Sequence, residues 1–188
     1  GRTQHRSPGC WVMDGSGCTE CRWVTMGTGN GILDHLRPAR KTTAMIVVMP
    51  FGNPQPAVGF GTVTKAVSDR PAFTRDLLED VMPFVEKLYR ITAKPESRAI
   101  AGLSMGGGQS MSIGLTRLHL FRSIGICSSA PSQCSDIEEA FPQLFARPAA
   151  SKQKIKGLWT GSGRKGPAFK SRPRRESIQD RNTPPPPP

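Results

Sequence analysis

A serine between glycines, at the junction of an apolar run and a helix-forming run, constrains the fold of this chain more than any other feature. The residues Gly102-Leu103-Ser104-Met105-Gly106 follow the apolar segment 98–101 and precede the helix-compatible segment 109–118. A strand, a tight turn with a serine and then a helix is the order of a nucleophile elbow. The alternative is a glycine-rich turn whose serine only caps the helix, a position that serine often occupies. The flanking strand and helix favour the elbow.

Close packing explains why this motif has glycine at two positions. In an elbow the serine backbone is strained, and the strand and helix lie so close together that Gly102 and Gly106 have no room for side chains. The Ser104 hydroxyl would then lie at the helix N-terminus, where backbone N–H groups can stabilise a developing oxyanion. The motif therefore predicts that Ser104 is a nucleophile.

Apolar runs alternate with helical stretches along most of the chain. The runs predict five short strands, at residues 10–13, 44–49, 98–103, 122–127 and 155–160. The segment 45–49 is continuously apolar, as is typical of parallel strands that are buried on both faces. Strands that alternate with helices predict an α/β fold with a mainly parallel sheet.

Two helices are predicted between the strands, at residues 31–36 and 74–90. Thr74 is a plausible N-cap of the longer helix. Pro83 cannot donate a helical hydrogen bond, so it is expected to kink this helix or to mark its true start. An apolar stripe is expected to face the core, and it consists of Leu77, Leu78, Val81, Val85, Leu88 and Tyr89.

The net charge of +12 is unevenly distributed along the chain. Residues 151–188 hold ten Lys and Arg but only two acidic residues, and they end in five prolines. Basic tails bind phosphate backbones without sequence preference, but no aromatic platform or base-reading motif accompanies this one. We therefore predict one domain over residues 1–163 and a disordered tail over residues 164–188, with no specific nucleic-acid partner.

Cysteine spacing and hydropathy point to no further site. Cys18 and Cys21 have C-x-x-C spacing, but no second pair or nearby histidine completes a metal site. We therefore expect no metal and no cofactor. No run of eighteen apolar residues occurs, so no membrane span is expected. The residues after Gly1 do not have a signal-peptide pattern, which leaves the compartment open.

Several segments together resemble an esterase family of the α/β-hydrolases, which contains feruloyl, acetyl-xylan and enterochelin esterases and esterase D. The resemblance spans roughly residues 8–163, and its segments are 30–34 with Trp23 before it, 45–53, 76–87, 98–107 and 128–131. It implies ester hydrolysis through an acyl-enzyme, on a small-molecule or carbohydrate-linked ester and without a cofactor. It further implies that Ser104 is the nucleophile and that the N–H groups of Met105 and Ser16 are the oxyanion donors.

The chain departs from the family pattern at three positions. The loop after the first strand usually has His-Gly, but here it has Asp14-Gly15. A carboxylate beside an oxyanion hole is electrostatically unfavourable. The family's acid belongs at about residues 164–167, which read Arg-Lys-Gly-Pro, and its histidine belongs in the region of the basic tail.

The other histidines are not expected to replace the missing base. The order in this fold is serine, acid, histidine, and only His119 follows Ser104. A helix of about 21 Å separates these two residues. His5 and His35 lie in a terminal segment and on a predicted surface helix. Two hypotheses therefore stand: a serine ester hydrolase, and a noncatalytic pseudoenzyme or truncated gene product.

The family fold has further strands before residue 8 and after residue 163. The fold expected here is therefore a partial α/β-hydrolase sheet with the strand at 44–49 as an exposed apolar edge. Because unpaired edges recruit other chains, association through this edge is expected.

Overall fold

The structure is a computed structural model that describes residues 6–16, 19–52, 70–129 and 137–163. It contains a five-stranded sheet in the order β2-β1-β3-β4-β5, in which all neighbouring strands are parallel. The strands are β1 (Gly9–Met13), β2 (Ile46–Val48), β3 (Arg98–Leu103), β4 (Ser123–Cys127) and β5 (Gly157–Gly161). The predicted α/β class is confirmed, and each predicted strand is present within two residues at either end.

Helices connect the strands in the described parts of the chain. Two of them, α1 (Arg22–Thr25) and α2 (Gly29–Leu36), lie between β1 and β2. The connection to β3 contains α3 (Arg70–Arg75), a π-helical segment (Asp76–Val81), α4 (Met82–Leu88) and a 3₁₀ turn (Pro95–Ser97). After β3 come α5 (Met105–Thr116) and, beyond β4, the short helices α6 (Ile137–Ala140), α7 (Pro142–Ala146) and α8 (Pro148–Lys154).

The strand register places one set of side chains under α5. Trp11 of β1 pairs with Ile100 of β3, and Ile100 pairs with Ile124 of β4, so all three point to the same face. Helix α5 packs across these three strands. Trp11 is fully buried and meets Phe121 edge-to-face at 5.9 Å between ring centroids. The core of the molecule therefore lies between α5 and the middle of the sheet.

The predicted long helix is less regular than its sequence indicates. It begins at Arg70, so the predicted N-cap at Thr74 is wrong. Pro83 lies in the first turn of α4, directly after the π-helical segment. A proline is well tolerated there because first-turn N–H groups have no partner within the helix. Because the predicted helix begins at Arg70, the alternative in which Pro83 marks its true start is wrong; the helix instead changes from π-helical to α-helical just before the proline.

The π-helical segment also changes which side chains face the core. A π turn holds more residues than an α turn, so the apolar stripe shifts around the helix axis. Met82 is buried, whereas Leu88 and Tyr89 are 59% and 55% exposed, and their predicted place in the buried stripe is wrong. The other members of the stripe belong to the core or pack against it: Leu77, Leu78, Val81 and Val85.

The opposite face of the sheet carries small side chains toward the β5 edge. Ala101 pairs with Gly125, which pairs with Trp159 of β5. Together with Ala99 and their neighbours they line an open apolar groove of about 330 Å³. Trp159 is 59% exposed. This end of the sheet is therefore far less covered than the part under α5.

Strands β2 and β5 are the edges of the sheet as far as the structure describes it. The strand predicted at 44–49 corresponds to β2, so its predicted edge position is confirmed within the described sheet. Association of chains through this edge stays a prediction. The predicted tail, 164–188, lies outside the described residues. Within the described ranges, no helix has the length and apolar character needed to cross a bilayer.

Candidate active site

Ser104 has the backbone geometry of a nucleophile elbow. It lies between β3 and α5 with φ 54° and ψ −113°, a strained conformation for a residue with a side chain. The residue is exposed, although α5 is largely buried from Gly106 onward. The expectation that Ser104 is strained and accessible between a parallel strand and a helix is met, and its catalytic role stays a proposal.

The two motif glycines are sterically required. A Cβ atom at Gly102 would collide with the backbone of Gly106. A Cβ atom at Gly106 would lie 2.5 Å from the carbonyl oxygen of Met13. Both contacts are with backbone atoms, which cannot swing aside as a side chain can. The structure therefore agrees with the prediction that Gly102 and Gly106 have no room for side chains.

Hydrogen bonds fix the elbow to the strands on either side. The Ser104 N–H donates to the Cys127 carbonyl of β4 at 2.9 Å, and the Gly106 N–H donates to the Asp14 carbonyl at 3.0 Å. Met105 is the first residue of α5, so its N–H lies outside the helical hydrogen-bond ladder. The N-terminus of α5 also carries partial positive charge. These features suit an oxyanion donor.

The second predicted donor, Ser16, lies in a turn two residues after Asp14 and is exposed. Asp14 itself is only 3% exposed. Burial raises the pKa of the Asp14 carboxyl group above its usual range, although the nearby backbone amides of Gly15 and Arg22 and the Arg22 charge oppose this shift. A raised pKa disfavours the ionised form, which lessens the repulsion expected between this carboxyl group and an oxyanion.

A buried glutamine beside the elbow was missed by the sequence analysis. Gln109 lies one turn into α5 and is 5% exposed. Its Nε2 donates to the Gly52 carbonyl at 2.9 Å and so holds the segment after β2 against α5. A long amide side chain among the small and apolar residues of this helix was a signal for such a bond, but the sequence did not indicate its partner.

A second strained serine lies at the end of the next strand. Ser128 has φ 45°, and its N–H donates to the Gly161 carbonyl of β5 at 2.7 Å. The strand pairing that fixes this conformation is a long-range contact, so the sequence offered no signal for it. Strained non-glycine residues thus stand at the carboxyl ends of two adjacent strands, β3 and β4.

The described histidines lie on α2 and in the turn after α5. His119 is exposed in the turn after α5, whose 12 residues extend about 18 Å from the elbow. His35 is exposed on α2. His5 and residues 164–167 lie outside the described parts of the chain. Among the described residues, no cluster of His, Cys, Asp or Glu could hold a metal ion.

The parallel sheet and the strained serine between strand and helix define an α/β-hydrolase fold with a nucleophile elbow. Comparison with known proteins identifies the family within this class. The profile of the family described as "Putative esterase" matches residues 2–183. The chain belongs to this esterase family.

Individual relatives agree with this assignment. An endo-1,4-beta-xylanase/feruloyl esterase of Xylanibacter ruminicola is 30% identical over 136 residues, which cover 72% of this chain and 18% of that protein. This chain therefore spans less than a fifth of that relative.

Solved structures share the fold. The ferulic acid esterase of Anaeromyces mucronatus, in complex with ferulic acid, has a TM-score of 0.66 at 20% identity over 85% of this chain and 72% of that chain. The enterobactin esterase of Shigella flexneri has a TM-score of 0.56 at 14% identity over 82% of this chain and 38% of that chain.

Proposed function

We propose that this chain is a carboxylic ester hydrolase that works through an acyl-enzyme on Ser104. The observation that supports this most is the exposed Ser104, strained at φ 54° between β3 and α5. Membership of the esterase family and the similarity to feruloyl esterases support the same reaction class. The departures from the family pattern at Asp14-Gly15, at residues 164–167 and in the basic tail lower the rate that we expect for this reaction.

The reaction has two steps at one serine. Ser104 Oγ attacks the ester carbonyl carbon, a new carbon–oxygen bond forms, and the alcohol leaves with the serine proton. Water then adds to the acyl-enzyme, the bond to Oγ breaks, and the carboxylic acid is released. The carbonyl oxygen is an oxyanion in both steps, and the N–H groups of Met105 and Ser16 are the proposed donors.

An aromatic acyl group esterified to a sugar or small alcohol is the proposed substrate. Phe51 is 45% exposed and directly precedes Gly52. A Cβ atom at Gly52 would lie 3.8 Å from Met105 Cε, so this segment borders the side chain of the residue after Ser104. Phe51, the exposed aromatic residue of this segment, is the proposed face on which an aryl ring stacks. The name of the Xylanibacter relative, which includes feruloyl esterase activity, points to the same acyl class.

The proposed rate is low because His119, the described histidine that follows Ser104 in sequence, lies beyond the far end of α5, about 18 Å from the elbow. Serine hydrolases without their triad retain roughly 10³–10⁴-fold acceleration over water, from the oxyanion hole and binding. We therefore expect slow hydrolysis of methyl ferulate, far below a typical turnover of roughly 10 per second, so the acyl-enzyme itself is the informative product.

The test compares the wild-type protein, Ser104→Ala and the control Ser151→Ala on α8. We expect a feruloyl adduct on Ser104, detected by mass spectrometry, in the wild-type protein and in Ser151→Ala, and no adduct in Ser104→Ala. A wild-type protein that forms no adduct would contradict the proposal. Turnover near roughly 10 per second would show that an effective base operates and that the proposed low rate is wrong.

A noncatalytic ester-binding protein is the second candidate. The exposed position of His119, beyond the far end of α5 from the elbow, favours it. This candidate predicts that the wild-type protein binds methyl ferulate without releasing ferulate, and that Ser104→Ala binds equally well.

A further inference from the structure

A buried amide side chain joins the helix of the elbow to the segment after β2. Gln109 on α5 is 5% exposed, and its Nε2 donates to the Gly52 carbonyl at 2.9 Å. Because a carbonyl oxygen only accepts hydrogen bonds, this contact identifies the amide nitrogen as the donor. The other polar atom of the side chain, Oε1, is buried and has no hydrogen-bond partner among the described residues.

Packing alone does not explain an amide at this position. A methionine side chain has nearly the same length and would fill the space without burying polar atoms. An amide that is buried with one oxygen unpartnered is destabilising relative to such a residue. What Gln109 provides and an apolar side chain does not is the hydrogen bond to Gly52, which fixes the distance between α5 and this backbone segment.

The segment needs such a bond because it extends beyond the strand pairing. The pairing of β2 with β1 ends at Val48, and Pro50 has no N–H group to donate. Gly52 is buried, and a Cβ atom there would lie 3.2 Å from Gln109 Oε1 and 3.8 Å from Met105 Cε. Met105 and Gln109 are four residues apart on α5, so one face of this helix meets the segment.

This contact lies between the proposed nucleophile and the proposed aromatic face. Met105 directly follows Ser104, and Phe51 directly precedes Gly52 and is 45% exposed. The bond from Gln109 therefore sets how far the backbone of Phe51 lies from the helix that begins next to Ser104.

We propose that Gln109 is a positioning residue for acyl selectivity: its bond to Gly52 holds Phe51 where an aromatic acyl group on Ser104 stacks against it. This inference rests on the proposed hydrolase function of Ser104 and on Phe51 as the proposed stacking face. An acetyl group has no ring to stack, so its transfer to Ser104 does not depend on Gln109.

The experiment compares two esters with the same leaving group, p-nitrophenyl ferulate and p-nitrophenyl acetate. In both reactions Ser104 Oγ forms the bond to the acyl carbon and p-nitrophenolate leaves. The rate of each is measured as the adduct on Ser104 by mass spectrometry. The ratio of the two rates in one sample is independent of the fraction of protein that is folded, so a loss of stability does not change it.

The variants are Gln109→Met, Phe51→Ala and the two together, and Gln153→Met at an exposed position on α8 is the matched control. We expect Gln109→Met and Phe51→Ala each to lower the ratio of ferulate to acetate by about 3- to 10-fold, the range that an aromatic contact contributes. The double variant should lose no more than Phe51→Ala alone, because Gln109 acts through Phe51. The control should stay within about twofold of the wild-type ratio.

Three results would overturn the proposal. One is an unchanged ratio in Gln109→Met, and another is an equal slowing of both esters, which would mean that Gln109 acts on the elbow and not on the acyl group. The third is an additive loss in the double variant.

If neither ester acylates Ser104 in the wild-type protein, the proposed function fails, and binding of methyl ferulate decides the role of Gln109. A loss of affinity in Gln109→Met that matches the loss in Phe51→Ala would support the positioning role. Equal affinity in the wild-type protein and Gln109→Met would contradict it.

Discussion

The elbow and the β5 edge lie in the same sheet but differ in how firmly they are fixed. Around Ser104 the backbones of β1, β3 and α5 touch through Gly102 and Gly106, and hydrogen bonds join the turn to Asp14 and Cys127. Along β5 the side chains of Leu158 and Trp159 are 40% and 59% exposed beside an open groove.

An ester hydrolase requires a positioned nucleophile and also an acid and a base, and the two regions of the sheet relate to these requirements separately. The position of Ser104, the proposed nucleophile, depends on close backbone contacts and hydrogen bonds among the described residues. The family resemblance places the acid and the base after β5, in residues outside the described parts of the chain. The two regions therefore bear on different parts of the proposed function.

Glycine substitutions should show the largest contrast between the two regions. Gly106→Ala places a Cβ atom against backbone carbonyl oxygens, so we expect a loss of more than about 3 kcal/mol in the free energy of unfolding. Gly157→Ala on β5 meets nothing within 4 Å, and we expect a change within about 0.5 kcal/mol. Urea denaturation measures both, and similar losses would show that the elbow is not more tightly packed than β5.

Two tryptophans provide a second matched pair. Trp11 is fully buried in the core, whereas Trp159 is 59% exposed. We expect Trp11→Ala to lower the free energy of unfolding by about 3–5 kcal/mol, and Trp159→Ala to lower it by less than about 1 kcal/mol. Thermal and urea unfolding check this prediction. A large loss in Trp159→Ala would mean that β5 contributes to the core more than its exposure indicates.

Replacing Gln109 should lower the free energy of unfolding by less than replacing Gly106, but by more than replacing a surface amide. Gln109→Met keeps the length of the side chain but leaves the Gly52 carbonyl without its donor, and we expect a loss of about 1–3 kcal/mol. Gln153→Met, at an exposed position on α8, is the control and should change stability by less than about 0.5 kcal/mol. Equal effects in urea denaturation would show that the bond between Gln109 and Gly52 does not hold the segment after β2.

The smallest predicted effect is a pH dependence at Asp14. The pKa of this carboxyl group is raised in the folded protein, chiefly by burial. Its contribution to stability is therefore fully present below the pKa of an unfolded aspartate, about 4, and is lost as the pH rises through the folded pKa. The stability of Asp14→Asn relative to wild type should thus increase between pH 4 and pH 7.5. Urea denaturation at several pH values tests this, and a pH-independent difference would contradict the raised pKa.

The sequence was sufficient where a few neighbouring residues determine the structure. Continuous apolar runs located all five strands, and the spacing of Gly102, Ser104 and Gly106 located the elbow. It was insufficient where distant segments determine the structure. The π-helical segment before Pro83 shifts the face of α4, and the pairing of Gln109 with Gly52 joins residues 57 positions apart. The burial of Asp14 is likewise a product of the folded structure that the sequence did not indicate.

The site of phosphonylation tests the central claim most directly, because it asks whether the fold makes Ser104 a nucleophile. The native protein and a urea-denatured sample are treated with a fluorophosphonate, digested and mapped by mass spectrometry. The account predicts one adduct, on Ser104, in the native protein and none at that residue after denaturation. A native protein without an adduct, or one modified equally at several serines before and after denaturation, would contradict it.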